Sequence, residues 1–145
     1  MDIRHISDEY TEIGMRLIQE REELQDIRDA KISVIFLASE HEKKQSGKVV
    51  YGQCEKVPEK WKWSVPCDFT ITIFEPNIVF MNQKQLEILI FHELLHIGVS
   101  VEDDKFFVVP HDLEDFKTII KQYGPDWAEP VPAYITSADE NSSEN

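Results

Sequence analysis

Apolar side chains recur at intervals of three and four residues in three parts of the chain, and this spacing predicts amphipathic helices. The first helix is predicted from Ser7, a good N-cap residue, to about Asp29. The last is predicted over the stretch HDLEDFKTIIKQYG, where Gly124 is suited to end it. Each of these two helices is expected to pack on a core through one apolar face.

The middle helix differs because apolar residues lie on nearly all of its sides. It is predicted from about Gln83 to Ile97, and Asn82 and Gln85 can form a capping box at its start. Gly98 suits the left-handed conformation that commonly follows a helix. A helix of this composition is expected between a sheet and other helices, where polar side chains need a specific reason to be present.

Three stretches predict β-strands because they are rich in β-branched residues or alternate between apolar and polar positions. They are KISVIFLAS, VVYGQCEKV and DFTITIF. The polar run EHEKKQSGK, which follows the first strand, predicts a turn or loop. The period-two pattern of DFTITIF is typical of a strand with one buried face and is compatible with a place at the edge of the sheet.

Length and composition indicate one domain. A chain of 145 residues, 41% of them hydrophobic, suffices for one compact core and is short for two. We therefore expect a single domain over residues 1–135 and a disordered acidic tail over 136–145. No apolar run reaches the roughly 18 residues of a membrane span, and the acidic start is unlike a signal peptide, so a cytoplasmic protein is expected.

The net charge of −13 argues against unassisted binding of nucleic acid, because such binding draws on Lys and Arg. One stretch, EKVPEKWKW, combines lysines with Trp61 and Trp63, a pattern that can stack bases. We expect instead a loop that packs both tryptophans on the domain. Two cysteines, Cys54 and Cys67, are too few for a disulfide framework and are interpreted as small buried residues.

The middle helix contains the motif HExxH, formed by His92, Glu93 and His96. Two histidines four residues apart lie on one face of a helix and can bind the same metal ion through ring nitrogens. The glutamate of this motif accepts a proton from water whose pKa zinc has lowered towards about 7. Imidazole ligands favour Zn²⁺ over Mg²⁺ or Ca²⁺, so one zinc ion per chain is expected.

Catalytic zinc usually has three protein ligands and one open position. His111 is the leading candidate for the third ligand because it begins the last predicted helix, after a gap of fourteen residues that allows the chain to turn back. Asp112 and Asp115 are also placed to accept a hydrogen bond from a ligand histidine, and Asp112 equally suits a carboxylate that stabilises the N-terminal end of the last helix. A carboxylate is the alternative third ligand, and the candidates are Glu102, Asp103, Asp104, Asp112, Glu114 and Asp115.

The stretches DFTITIF, FHELLHIG and HDLEDFKTIIKQYGPDW together resemble the putative phage metallopeptidase family, small zincin-like proteins of phages and bacterial genomes. The histidine spacing is also similar to that of SprT-like proteases, although the basic DNA-binding extension of those proteins is absent here. The resemblance implies that His92, His96 and His111 bind zinc and that Glu93 is the general base.

The resemblance also implies an α+β architecture of the zincin type. Its elements are an N-terminal helix, a small three- to four-stranded mixed sheet, the HExxH helix and a following helix that carries the third ligand. If DFTITIF is the edge strand beside the cleft, an extended peptide can add to it through main-chain hydrogen bonds.

Two functions follow from these observations. The first is a zinc-dependent peptidase in which activated water attacks a peptide carbonyl with Glu93 as general base, acting on protein or peptide substrates. The alternative is a metal-stabilised binding or regulatory module of a phage or mobile element, without catalysis. The sequence predicts neither the cleavage specificity nor the oligomeric state.

Overall fold

The computed structural model describes residues 3–100, 102–103 and 105–109. The predicted last helix, the predicted domain boundary at residue 135 and the acidic tail lie outside these residues. The elements in chain order are β1 (Arg4–Ile6), α1 (Asp8–Glu20), α2 (Gln25–Asp29), β2 (Val34–Ser39), β3 (Lys44–Gln45), β4 (Lys48–Val49), β5 (Gly52–Lys56), β6 (Phe69–Phe74), α3 (Gln83–Leu94), β7 (Ile97–Ser100) and β8 (Lys105–Val108). Short 3₁₀ turns cover Glu22–Leu24, Glu59–Trp61 and Glu75–Asn77.

The principal sheet has four strands in the order β1-β2-β6-β5. β2 and β6 run parallel, whereas β1 and β5 are antiparallel to their neighbours. The helices and this mixed sheet confirm the predicted α+β class and strand number. β3 with β4, and β7 with β8, form two separate hairpins.

The expectation that DFTITIF lies at a sheet edge is wrong. This stretch forms β6, which pairs with β2 on one side and β5 on the other. The alternation of apolar residues and threonines suggested one buried face, but both faces of the strand are covered. Ile71 and Thr72, which lie on opposite faces, are each fully buried. The threonine tolerates burial because the Arg4 guanidinium donates a hydrogen bond to its hydroxyl at 3.0 Å.

The first helix begins as predicted, since the Ser7 hydroxyl accepts a hydrogen bond from the Tyr10 N–H at 3.1 Å. It does not continue to Asp29, because Arg21 adopts an extended conformation and the chain restarts as a short second helix. The Arg28 guanidinium donates to the carbonyls of Ile18 and Arg21 at 2.6 and 2.8 Å, which satisfies the broken end. Apolar residues keep the same helical spacing on both sides of the break, so the spacing did not reveal it.

The capping box of α3 is present as predicted, with Asn82 and Gln85 bonded reciprocally. The helix ends at Leu94, three residues before the predicted end, and Gly98 does not have a positive φ. Gly98 instead lies in β7 opposite Phe107, where an added Cβ would lie 2.5 Å from the Phe107 ring. The glycine therefore permits close strand packing rather than a helix cap.

The core lies between the sheet and helices α1 and α3, and nearly every α3 side chain after Gln85 is buried, as predicted. The predicted packing of the tryptophans is wrong, because Trp61 is 49% and Trp63 81% exposed. Their turn is held by Lys62, which pairs with Glu59 and Asp68 at 2.9 and 3.0 Å. No helix in the described part of the chain is long and apolar enough to cross a membrane.

Candidate metal centre

Helix α3 carries the first two residues of the HExxH motif into the interior. His92 is 8% and Glu93 5% exposed, although both side chains are polar. Their neighbours Phe91 and Leu94 are completely buried, so packing on both sides holds this last turn of the helix in place. The burial of a histidine beside a glutamate is energetically costly and is typical of a functional site.

His96 lies beyond the end of the helix rather than on it. The chain tightens after Leu94, and the His96 N–H donates to the Glu93 carbonyl at 3.1 Å. The imidazole rings of His92 and His96 nevertheless remain neighbours, with centroids 5.4 Å apart and planes inclined by 47°. The motif therefore keeps its two histidines together even though the helix stops between them.

His92, Glu93 and His96 each direct a ligand atom to a common place, and these atoms lie within 4.8 Å of one another. The three side chains therefore form a group that can hold a metal ion. Two imidazoles and a carboxylate are donors that suit a divalent transition metal, and zinc in particular. The donor set fits the metal expected from the sequence.

A backbone carbonyl orients the His96 ring. Nδ1 of His96 lies 2.5 Å from the Val109 carbonyl oxygen, while the Val109 N–H donates to the His96 carbonyl at 2.6 Å. Because a carbonyl can only accept, Nδ1 carries the proton and Nε2 is left with its lone pair for a metal. The β7–β8 hairpin brings Val109 back to this position, and the sequence contained no signal for that contact.

The site opens into a cleft of about 590 Å³. Its floor is α3, and strand β5 forms one side. The β3–β4 hairpin and the end of β8 complete the lining. The lining residues are Gln45, Val49, Val50, Tyr51, Gly52, Gln53, Cys54, Leu89, His92, Glu93, His96 and Val108.

Cys54 is the half-buried member of the cysteine pair, and it lies in this cleft, whereas Cys67 is buried as expected. Burial raises the pKa of the Cys54 thiol, and the Glu93 and Glu55 carboxylates raise it further. The thiol is therefore protonated at neutral pH. Among the described residues, the side chains that group as possible metal ligands are His92, Glu93 and His96, and Cys54 is not one of them.

The candidate third ligands fall into two groups, those within the described residues and those outside them. Glu102 and Asp103 lie in the exposed turn between β7 and β8, and among the described residues they do not join the group around His92. His111 lies outside the described residues, as do the remaining carboxylates, Asp104, Asp112, Glu114 and Asp115.

The family model described as putative phage metallopeptidase matches residues 5–138, which is most of the chain. The chain belongs to this family. The resemblance of its motifs to phage metallopeptidases is thereby confirmed, and the group of His92, Glu93 and His96 lies within the matched region. Neither a curated protein nor a solved structure matches the chain significantly.

Proposed function

We propose that this protein is a zinc-dependent peptidase whose catalytic centre is the group formed by His92, Glu93 and His96. The observation that carries the proposal is the position of this group: ligand atoms within 4.8 Å of one another at the base of an open cleft, in a chain of a metallopeptidase family. Protein or peptide substrates follow from the family. Such a site combines metal binding with access for a polypeptide.

In this proposal, His92, His96 and His111 hold one zinc ion per chain. When bound, zinc would polarise the scissile carbonyl and lower the pKa of a coordinated water. His96 presents Nε2 because its Nδ1 proton is held by the Val109 carbonyl. His111 completes the set because catalytic zinc sites usually have three protein ligands, and His111 follows Val109 by two positions in the chain.

Glu93 is the general base. Its carboxylate accepts a proton from the attacking water and then passes that proton to the leaving amine. At 5% exposure Glu93 is largely shielded from bulk water, and this strengthens the interaction of its carboxylate with charge that develops beside it. In this role Glu93 does not bind the metal, although its carboxylate is within reach of the same ion as the histidines.

Strand β5 is the place for the substrate backbone. The hydrogen bonds from Phe74 N–H to Tyr51 O and from Val57 N–H to Asp68 O show which residues of β5 face β6. In an antiparallel ladder the intervening residues, Gly52, Cys54 and Lys56, direct their backbone groups away from it. Among the described residues β6 is the only strand that pairs with β5, so an extended peptide can add to its outer edge.

The cleft wall favours an apolar side chain next to the scissile bond. Val49, Val50, Tyr51, Leu89 and Val108 supply apolar surface, and Glu93 is the only charged residue among the described residues of the lining. Cleavage products from a proteome-derived peptide library should therefore be enriched in aliphatic or aromatic residues beside the cut. Val108→Glu should weaken that enrichment, whereas Val79→Glu, at a side chain 84% exposed and outside the lining, should not.

The metal assignment is tested by elemental mass spectrometry on wild type and on His111→Ala. About one zinc per chain in the wild type and a clear loss in the variant are expected. Full retention in the variant would move the third ligand to a carboxylate. No metal in either protein, even after zinc is offered, would overturn the metal centre.

The catalytic assignment is tested with Glu93→Gln, which keeps the shape of the side chain and removes the base. We expect unchanged zinc content and a loss of peptide cleavage of at least about a hundredfold. Undiminished cleavage would remove Glu93 from the mechanism. Zinc in the wild type without cleavage of any library peptide would favour the alternative, a metal-stabilised binding or regulatory module.

A further inference from the structure

Gly52 lies in strand β5 directly beside the Glu93 side chain. A Cβ placed on Gly52 would be 3.2 Å from both Cγ and Oε2 of Glu93 and 3.3 Å from its Cδ, and these are the three nearest atoms. Such contacts are shorter than ordinary van der Waals separations. The Glu93 carboxylate therefore rests against bare backbone of β5.

A glycine within a strand needs an explanation, because it loses more conformational entropy than other residues and offers no side chain to pack. Neither turn geometry nor a positive φ provides one here, since Gly47 is the glycine with positive φ among the described residues. Close approach of a functional group to the backbone is the remaining reason.

The backbone on either side of this contact cannot easily move away. Gly52 is opposite Ile73 in the inner strand β6, and five consecutive register pairs hold β5 in place. Glu93 lies on α3 between His92, which is 8% exposed, and Leu94, which is completely buried. A side chain at position 52 would have to be accommodated mainly by the Glu93 carboxyl group.

We propose that Gly52 is a positioning residue for Glu93: the absence of a side chain at this position sets where the carboxylate lies in the cleft. The catalytic consequence depends on the proposed peptidase function, whereas the contact itself does not. Gly52 acts through Glu93 and has no chemical role of its own.

A double-mutant cycle tests the contact without any substrate. Gly52→Ala should lower the midpoint of urea unfolding in the Glu93 background. Glu93→Asp withdraws the carboxylate by one methylene, so Gly52→Ala should cost much less, or nothing, in that background. Glu55→Ala is the matched control, since it changes β5 on the opposite face of the sheet, and its effect should add to that of Glu93→Asp.

Equal effects of Gly52→Ala in both backgrounds would overturn the proposal. The same conclusion would follow if neither Gly52→Ala nor the double variant folds, because the fault would then lie in the strand and not in the contact. Folding of the double variant alone would support the proposal.

The functional consequence is measured on the zinc-loaded protein. Gly52→Ala should bind as much zinc as the wild type, because the three atoms nearest to its Cβ all belong to Glu93 and none to a histidine. Its kcat should fall by about tenfold to a hundredfold, the loss expected for a displaced catalytic group, with little change in KM. An unchanged kcat would contradict the positioning role, whereas an inactive wild type would contradict the proposed peptidase and leave the unfolding cycle valid.

Discussion

The chemical properties of single residues in this protein depend on partners that are distant in sequence. In the neutral His96 ring, Nε2 keeps its lone pair because the Val109 carbonyl accepts the Nδ1 proton. Tyr10 also depends on a distant partner, although it lies away from the candidate metal site. Its side chain is 3% exposed, and its hydroxyl donates to Oε2 of Glu75 at 2.7 Å, which ties α1 to the turn after β6.

Tyr10→Phe should lower the free energy of unfolding by about 1–2 kcal/mol, because it removes a hydrogen bond to a charged acceptor and leaves that acceptor partly buried. Urea unfolding at pH 7 measures the loss. Glu75→Gln, which retains an acceptor, should cost less. An unchanged midpoint in Tyr10→Phe would show that the hydroxyl does not contribute to stability.

The same tyrosine predicts a pH dependence. Burial and the Glu75 carboxylate raise the pKa of Tyr10 above its ordinary value. A raised folded-state pKa means that the contribution of Tyr10 is fully present below the unfolded-state pKa of about 10 and is lost as the pH rises above it. The stability difference between wild type and Tyr10→Phe should therefore be constant from pH 7 to 9 and should shrink at higher pH.

At the scale of elements, a single asparagine holds one wall of the cleft. The Asn77 amide donates to the carbonyls of Lys43 and Val50 at 3.0 and 2.8 Å, and these residues flank the β3–β4 hairpin. Val50 N–H closes the same loop by donating to Lys43 O at 3.0 Å. The hairpin reaches the cleft through Gln45 and Val49, so Asn77 controls a wall that it does not itself form.

Asn77→Ala should loosen this hairpin while the core remains folded. We expect a loss of about 1 kcal/mol in the free energy of unfolding and faster hydrogen exchange at the Val50 amide and through the hairpin. The comparison is Asn82→Ala, which removes the cap of α3 and should increase exchange in the first turn of that helix instead. Identical exchange in Asn77→Ala and wild type would show that the Asn77 hydrogen bonds do not hold the hairpin in place.

Helix α1 lies so close to the sheet that one position must be glycine. A Cβ at Gly14 would be 2.2 Å from the Phe36 ring, and Phe36 is completely buried. Gly14→Ala should therefore lower the free energy of unfolding by about 1–3 kcal/mol despite the better helix propensity of alanine. Phe36→Leu should cost less in the Gly14→Ala background than in the wild type, and equal costs would argue against the contact.

At the scale of the whole molecule, metal binding and folding are expected to be coupled. His92 and Glu93 are buried in a chain whose net charge is −13, so a bound cation offsets both local and overall negative charge. A ligand that binds the folded state stabilises it by about 2.7 kcal/mol at a hundred times its Kd.

Removal of metal by a chelator should therefore lower the unfolding midpoint, and added zinc should restore it. His92→Ala should abolish the response to zinc, because a proposed ligand is lost, whereas Glu93→Gln should retain most of it. A zinc response that is undiminished in His92→Ala would place the binding site elsewhere in the protein.

The amino-acid sequence by itself determined the features that depend on neighbours in the chain. The Ser7 cap, the Asn82 and Gln85 capping box and the buried character of α3 were all predicted, because caps and periodicity are local properties. The grouping of His92, Glu93 and His96 was predicted for the same reason, since four residues of compact backbone bring the histidines together whether the last turn is α-helical or tighter.

Only the tertiary structure decided which strand is at the edge, where α1 and α3 end, and which groups support the site. The order of β5 and β6 in the sheet depends on pairings with segments far away in the chain. The Val109 carbonyl and Gly52 had no signal in the sequence, because a backbone carbonyl is common to all residues and a glycine in a strand has many explanations. Close packing between distant segments makes these two positions specific to the site.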